Sequence, residues 1–182
     1  MIQESSLRKI AQSVRAFLEP VWLEWHCADE CMPEVPSQGT CGRSSLFLQQ
    51  VLLEDYGLPA HWVSGDPLGT PGRISAFGFL AGAEWRGHAW IEVNDRWIVD
   101  VTCDQFGHTP VMITTIGDSR YARGPKDTAL PAFREKRGRA VQQLRPRWLK
   151  SRERLALCER FGGSPCRLTP MAAPAPISSC GW

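Results

Sequence analysis

The sequence has 182 residues, the length of one ordinary domain. Hydrophobic residues make up 43% of the chain and charged residues 22%, which excludes a disordered or collagen-like protein. No apolar run is long enough to cross a bilayer, and the first residues, MIQESSLRKIAQ, lack the apolar stretch of a secretory signal. We therefore expect a cytoplasmic protein with no membrane partner.

The charges are distributed unevenly along the chain. Residues 1–119 contain 7 Lys+Arg and 15 Asp+Glu, whereas residues 120–182 contain 14 and 4. We predict a main domain over 1–119, a basic and partly helical extension over 120–167 that packs on it or is attached to it, and a disordered, Pro-rich tail over 168–182. The basic extension favours an acidic partner or neutralisation by the acidic domain. Nucleic acid is not the expected partner, because a charge run is usually a solvated face.

Hydrophobic spacing predicts two helices in the first third of the chain. Apolar residues recur at helical spacing after Ser5 or Ser6, and Pro20 should end this first helix. We interpret 22–31 as irregular. A second, largely buried helix is predicted over 41–56, with Gly57 at its C-terminal end.

Strands are predicted after the second helix, at 60–64, 74–80, 88–93 and 96–102. The order of two helices followed by antiparallel strands indicates the α+β class.

Cys41 is the first candidate for chemistry. It opens the second predicted helix after Gly39 and Thr40, and the positive end of a helix dipole stabilises a thiolate. A thiolate is the nucleophile that acyl transfer requires. The competing interpretation is that Cys41 is a small buried hydrophobic residue.

The hairpin GHAWIEVNDRWIVDVT supplies the partners that such a thiol needs. His88 would take or share the thiol proton, and Asp100 would fix the tautomer of His88 and stabilise its protonated form. Taken singly, a strand histidine is more often structural, and an aspartate at a strand end more often caps a turn. The combination with Cys41 favours catalysis.

Three motifs in this order resemble the core of the transglutaminase-like superfamily of cysteine enzymes. They are GTCGRSSLFLQQVLLEDYGLPAHWVSG, GHAWIEV and RWIVDVT, and the resemblance covers about residues 38–104. It implies a papain-like fold variant in which the helix bearing the nucleophile packs on an antiparallel sheet. It also implies a triad of Cys41, His88 and Asp100 that transfers an acyl group from a peptide or protein amide through a thioester.

In small bacterial-type members of that superfamily the acceptor is often water, which would make the protein a protease, amidase or deamidase. Nothing in the sequence resembles a calcium loop. The group His26, Cys27 and Cys31 falls short of the four spaced ligands of a zinc site. We expect no metal and no cofactor.

Three further residues are weaker candidates for the site. Gln38 is a candidate side-chain donor to the oxyanion, beside the backbone N–H of Cys41, although loop glutamines are usually only solvated. Trp90 is a candidate wall of the substrate groove, although strand aromatics are more often core. Asp104 is the reserve for the third member of the triad.

The register of the hairpin decides whether the triad can form. A two-residue Asn94-Asp95 loop would put Asp100 opposite Ala89, on the face of the sheet away from His88. A three-residue loop over 94–96 with a bulge would pair Trp90 with Asp100, diagonal to His88. We predict this second register, because the chemistry requires it.

Two functional hypotheses follow from these residues. The first is a cysteine hydrolase or acyltransferase acting on an amide. The alternative is a catalytically inactive transglutaminase-like binding module that uses its basic C-terminal segment. The presence of all three triad residue types favours the enzyme.

Overall fold

The computed structural model describes residues 2–67, 76–124 and 131–160. The chain divides into two compact units, Met1–Pro146 and Arg147–Trp182. In chain order the helices and strands are α1 (Glu4–Ala28), α2 (Cys41–Tyr56), β1 (Ala60–Gly65), β2 (Gly78–Ala81), β3 (Glu84–Arg86), β4 (His88–Val93), β5 (Trp97–Asp100), β6 (Met112–Thr115), β7 (Tyr121–Ala122), α3 (Pro131–Gln142) and α4 (Leu144–Arg160), with a short 3-10 turn at Cys103–Phe106 between β5 and β6. The tail predicted over 168–182 lies outside the described residues.

The strands of the first unit form two antiparallel sheets. The larger has the order β1-β4-β5-β6 and the smaller the order β3-β2-β7. Helix α2 packs against β1 and β4, the two strands at one side of the larger sheet. The predicted α+β class is confirmed, and the helix that begins at Cys41 lies on an antiparallel sheet.

The prediction that Pro20 ends the first helix is wrong. Helix α1 continues through Pro20 to Ala28, so the stretch interpreted as irregular is largely helical. A proline inside a helix removes one hydrogen bond, but the buried side chains of Val21, Trp22 and His26 lie beyond it. Tertiary packing of these side chains outweighs the local penalty.

The prediction for α2 is confirmed at both ends. The helix spans Cys41–Tyr56, and Gly57 follows it in the left-handed conformation with φ of 61°. Apolar side chains on its buried face, including Phe47, Leu48 and Val51, are fully excluded from solvent. Burial of each such side chain contributes about 1.5–3 kcal/mol, which fixes the helix on the sheet.

Predicted and observed strands differ mainly at their ends. The strand predicted over 74–80 is observed only from Gly78, and residues 74–75 lie outside the described part of the chain. The strand predicted over 96–102 ends at Asp100. The Asp100 carboxylate accepts a hydrogen bond from the Thr102 N–H, and this local turn ends the strand. Strands β3, β6 and β7 were not predicted; each has four residues or fewer.

The predicted register of the β4–β5 hairpin is confirmed. The observed pairs are Ile91–Val99, Glu92–Ile98 and Val93–Trp97. In this register residues 94–96 form the loop and Trp90 lies opposite Asp100. Asn94 and Asp95 have φ of 53° and 51°, values that these two residue types tolerate better than most.

Helices α3 and α4 lie in the basic segment of the chain. Within the first unit, α3 packs against α2, and Arg145 at the start of α4 forms ion pairs with Glu54 and Asp55 near the end of α2. Among the residues that the structure describes, no helix combines the length and the apolar character needed to cross a bilayer.

Candidate active site

Cys41 is held against the start of β4 by its own helix. It is the first residue of α2, and Ser45, one turn later, donates a hydrogen bond from Oγ to the carbonyl oxygen of Ala89 at 2.9 Å. The backbone N–H of Ala89 hydrogen-bonds the Cys41 sulfur. Two contacts with Ala89 thus place the thiol beside His88, the preceding residue of the strand.

His88 and Asp100 form a buried pair. The Nε2 of His88 lies 2.6 Å from Oδ2 of Asp100, and both side chains are 0% exposed. An ionised carboxylate can only accept, so Nε2 carries the hydrogen and donates it. The other ring nitrogen, Nδ1, is also buried and has no well-formed hydrogen bond within the described residues. It is the ring nitrogen left for the Cys41 thiol.

Three donors besides His88 orient the Asp100 carboxylate. The N–H and the Oγ1 hydroxyl of Thr102 donate to Oδ1 at 2.9 and 3.1 Å. The hydroxyl of Tyr121, on β7, donates to Oδ2 at 3.0 Å. A carboxylate held by several donors keeps its orientation and stays ionised.

The charges of these groups reinforce one another. Burial by itself raises the pKa of the Cys41 thiol, but the hydrogen bond and the positive charge of His88 outweigh it and bring that pKa below its usual value. Burial would lower the pKa of His88, but the charge of Asp100 and its hydrogen bond raise it to about 10. The pKa of Asp100 is lowered despite burial, chiefly by the charge of His88. The arrangement favours a thiolate–imidazolium pair.

A cavity of about 370 Å³ opens over the pair formed by Cys41 and His88. It falls within the size range of sites that bind small ligands or short peptide segments. Cys41 and His88 both line it, together with residues of α3 and of the end of β1. The lining residues are Asp29, Gly39, Cys41, Gly42, Arg43, Ser64, Gly65, Asp66, Gly87, His88, Ala89, Lys136, Arg137 and Ala140.

Asp104, the reserve acid, has different partners. Arg15 on α1 binds both of its carboxylate oxygens, at 2.7 and 2.9 Å, and Ser37 donates to Oδ1 at 2.7 Å. Through these contacts Asp104, in the turn after β5, is bound to α1 and to the loop before α2. Asp100, not Asp104, is the carboxylate that the structure brings to His88.

Buried hydrogen bonds extend from Ser37 towards the start of α2, where Cys41 lies. Thr40 donates from Oγ1 to the Ser37 carbonyl at 2.7 Å, and the Ser44 hydroxyl lies 3.3 Å from Thr40 Oγ1. Trp22 Nε1 on α1 donates to Ser44 Oγ at 2.9 Å. These contacts hold the loop before Cys41, so Asp104 is connected to Cys41 only indirectly, through that loop.

The structure places Gln38 and Trp90 away from the two roles predicted for them. Gln38 is exposed on the loop before α2, and neither it nor Trp90 is among the described residues that line the cavity. Trp90 is 1% exposed and packs with Val63 and Ile98. The predicted substrate wall is a core residue that stacks behind His88, with ring centroids 6.3 Å apart.

Sequence reasoning missed Tyr121, Arg15 and Ser37. The Tyr121 hydroxyl donates to Asp100 from a strand of only two residues. No local sequence pattern predicts that contact. Arg15 lies on helix α1, and the spacing of the apolar residues along α1 predicts that its side chain is on the solvent-facing side. An Asp-x-Thr sequence can form a local side-chain-to-backbone turn, so the contacts of Thr102 with Asp100 had a visible signal.

Of the three residues considered for a zinc site, His26 has a structural role in the fold. His26 is 5% exposed, and its Nε2 lies 2.8 Å from the carbonyl oxygen of Pro36. Cys27 and Cys31 are exposed free thiols. Within 2–67, 76–124 and 131–160, no group of three or more His, Cys, Asp or Glu side chains is arranged to hold a metal ion.

Comparison of the chain with protein-family models, with curated proteins and with solved structures found no significant match.

Proposed function

We propose that the protein is a cysteine-dependent acyl-transfer enzyme that hydrolyses an amide or peptide bond through a thioester on Cys41. One observation carries the proposal: Cys41, His88 and Asp100 form a continuous series of interactions that lowers the pKa of the thiol and opens into a cavity. A lowered thiol pKa next to a histidine is the signature of an activated cysteine nucleophile.

In the first half of the proposed reaction, the Cys41 thiolate attacks the carbonyl carbon of the amide. The C–S bond forms and the carbonyl π electrons move to oxygen. When the tetrahedral intermediate collapses, the C–N bond breaks, and the leaving nitrogen takes a proton from the His88 imidazolium. The products of this half are an amine, or ammonia from a primary amide, and a thioester on Cys41.

In the second half, neutral His88 removes a proton from water as the water oxygen attacks the thioester carbonyl. The C–S bond breaks, and the sulfur leaves as the thiolate that pairs again with His88 in its protonated form. The released acid completes a hydrolysis that needs no external oxidant or reductant. Asp100 stabilises the imidazolium in both halves.

The start of α2 supplies a donor for the oxyanion. The first N–H groups of a helix have no partner within the helix, and Cys41 contributes the first of them. A backbone N–H beside the nucleophile points at the charge that develops on the carbonyl oxygen.

We further propose that the fold is a transglutaminase-like variant of the papain-like architecture. The support is the order of the elements: a nucleophile at the start of a helix, then histidine and aspartate on adjacent antiparallel strands. The quoted motifs fall on these elements.

A test uses a mixed peptide library that includes primary amides, incubated with the full chain and analysed by mass spectrometry. Products should appear with the wild-type protein, and a thioester adduct on Cys41 should be trapped by rapid acid quenching. Cys41→Ala should abolish both, whereas Cys31→Ser, at an exposed thiol, should change neither. Turnover that survives in Cys41→Ala would contradict the proposal.

A further inference from the structure

Four aromatic side chains lie around the imidazole of His88. They come from different parts of the chain, and none of them takes part in the proposed proton transfers. Their ring centroids lie 4.9, 5.8, 6.3 and 6.4 Å from that of His88, for Phe106, Phe79, Trp90 and Tyr121 respectively. Phe106 is the nearest of the four.

Phe106 is held in place by its own backbone and by a buried ring. It is the last residue of the 3-10 turn Cys103–Phe106, and Gly107 follows with φ of 78°, a left-handed conformation that glycine adopts without strain. The Phe106 ring stacks on Phe79, with centroids 4.8 Å apart and planes 11° from parallel. Because Phe79 is fully buried, it gives Phe106 a fixed packing surface.

The two stacked phenylalanine rings meet the imidazole nearly at right angles. The interplanar angle with His88 is 84° for Phe106 and 74° for Phe79. The χ2 torsion of histidine has a broad, roughly two-fold preference, so by itself it does not exclude a ring rotated by half a turn. Such a rotation would place carbons where Nε2 faces Asp100 and Nδ1 faces Cys41. Close-packed rings beside the imidazole oppose the rotation, because it needs space that they occupy.

Exposure to solvent changes sharply across the contact between Phe106 and His88. The side chains of His88 and Asp100 are both 0% exposed, whereas Phe106 is half-buried and keeps part of its surface in solvent. Phe106 therefore separates the imidazole from water on its own side of the ring. A hydrogen bond is stronger where water is excluded, so this barrier favours the bond between Nε2 and Oδ2 that orients His88.

We propose that Phe106 is a positioning residue for the reaction. It holds the His88 imidazole with Nε2 at Asp100 and Nδ1 at Cys41, and it keeps water from the hydrogen bond between His88 and Asp100. This inference rests on the proposed function, in which His88 transfers the protons. Phe106 is not among the described residues that line the cavity, so it acts through His88 and not through the substrate.

Phe106 has one competing role that the experiment must separate. It packs against the buried cluster of Phe79, Cys103 and Met112, and an ordinary core contact would contribute to stability alone. A positioning role also changes the hydrogen bond of His88 and the rate of the chemical steps.

The first test observes the Nε2–H of His88 by NMR, in protein made with isotope-labelled histidine and without any substrate. The signal is assigned by its absence from His88→Gln. In the wild-type protein this proton should exchange slowly with water, because it is buried and bonded to Asp100. In Phe106→Ala it should exchange at least about tenfold faster, because water gains access and the imidazole is free to rotate.

Phe17→Ala is the matched control. Phe17 is also half-buried and stacks on another phenylalanine, Phe47, with centroids 5.3 Å apart, but it lies on α1. This variant should lower the melting temperature about as much as Phe106→Ala and leave the exchange of the His88 proton unchanged. Phe106→Tyr keeps the ring and should keep the slow exchange. Phe106→Leu, which keeps apolar bulk without a flat ring, gives the same comparison if Phe106→Ala does not fold.

A second readout is the turnover of the peptides identified in the library test. Phe106→Ala should lower kcat about ten- to a hundredfold, because a displaced base slows both proton transfers. KM should stay within about twofold of the wild-type value, because the substrate does not contact Phe106. Phe17→Ala should change neither quantity.

Unchanged exchange of the His88 proton in folded Phe106→Ala or Phe106→Leu would overturn the positioning role. So would an equal acceleration in Phe17→Ala, which would make Phe106 a general packing residue. The exchange measurement needs no substrate, so the two proposals fail separately. A wild-type protein that turns over no peptide contradicts the proposed enzyme, whereas slow exchange that depends on Phe106 still supports its hold on His88.

Discussion

Two cysteines lie at opposite ends of the same histidine–aspartate pair, and their environments shift the pKa values of their thiols in opposite directions. Cys41 is half-buried, lines the cavity and contacts His88. Cys103 is fully buried beside Asp100, with its sulfur 3.7 Å from the Tyr121 hydroxyl. Burial and the negative charge of Asp100 raise the pKa of Cys103 well above the ordinary range, whereas the pKa of Cys41 is lowered.

Burial favours the neutral thiol at both sites, so it cannot explain the difference. The sign of the shift follows the charge of the nearest partner, an imidazolium for Cys41 and a carboxylate for Cys103. The chain thus places a thiol with a lowered pKa and a thiol with a raised pKa next to the same histidine–aspartate pair. Five substitutions test how far this contrast holds.

Cys41→Ala should produce the largest effect. We expect loss of amide hydrolysis by at least about 10⁴-fold, because removing the nucleophile leaves only binding and oxyanion stabilisation. Peptide turnover is the measurement, and thermal unfolding should show a fold that remains intact. The paired variant Cys103→Ala should keep turnover within about threefold and lose about 1 kcal/mol of stability. Equal losses of turnover in both variants would contradict the proposed difference between Cys41 and Cys103.

Asp100→Asn should be nearly as damaging. If the behaviour of serine triads transfers, the rate falls on the order of 10⁴-fold, because the amide favours the wrong tautomer of His88. The pH midpoint of Cys41 alkylation should also rise, since a neutral side chain no longer supports the imidazolium. A pH midpoint of Cys41 alkylation equal to that of the wild-type protein would show that Asp100 does not support the charge of His88.

Asp104→Asn should have a different effect from Asp100→Asn. Breaking the mostly buried pair with Arg15, whose side chains are 11% and 18% exposed, should cost about 2 kcal/mol in the free energy of unfolding. Turnover should fall by about tenfold or less, through the loop that carries Cys41. The pH midpoint of Cys41 alkylation should stay at its wild-type value, and a midpoint shift as large as that of Asp100→Asn would make Asp104 a direct partner of the pair.

Tyr121→Phe should give the smallest effect. It removes one of the donors to Asp100 but keeps the ring that packs on Trp90, 5.2 Å away between centroids. We expect a loss of about 1 kcal/mol in stability and a two- to fivefold drop in turnover. No change in either quantity would show that Thr102 and His88 suffice to orient the carboxylate.

The position of Cys41, His88 and Asp100 in the fold could be predicted because the signals in the sequence are local. Cys41 directly follows a Gly-Thr turn, and the α2 prediction held from its first residue to Gly57. The hairpin register followed from a chemical requirement, because only an even offset brings His88 and Asp100 to one face. Asn94 and Asp95 then adopt the left-handed conformations that the longer loop needs.

The rest depended on contacts between residues far apart in sequence. Pro20 did not end α1, because side chains beyond it pack in the core. Tyr121 reaches Asp100, and Arg15 reaches Asp104, across separations of 21 and 89 residues. Trp90 could be assigned to a wall or to the core only when its neighbours on β1 and β5 were known.

The most direct test of the central claim is the pH dependence of alkylation, resolved for each cysteine. With iodoacetamide, Cys41 should react fastest, with a midpoint below the ordinary thiol value of about 8.5, because its lowered pKa keeps the thiolate at lower pH. The raised pKa of His88, about 10, preserves the ion pair above that midpoint. Cys103 should stay unmodified in the folded protein. A Cys41 that reacts no faster than exposed Cys27 and Cys31, with an ordinary midpoint, would contradict the account.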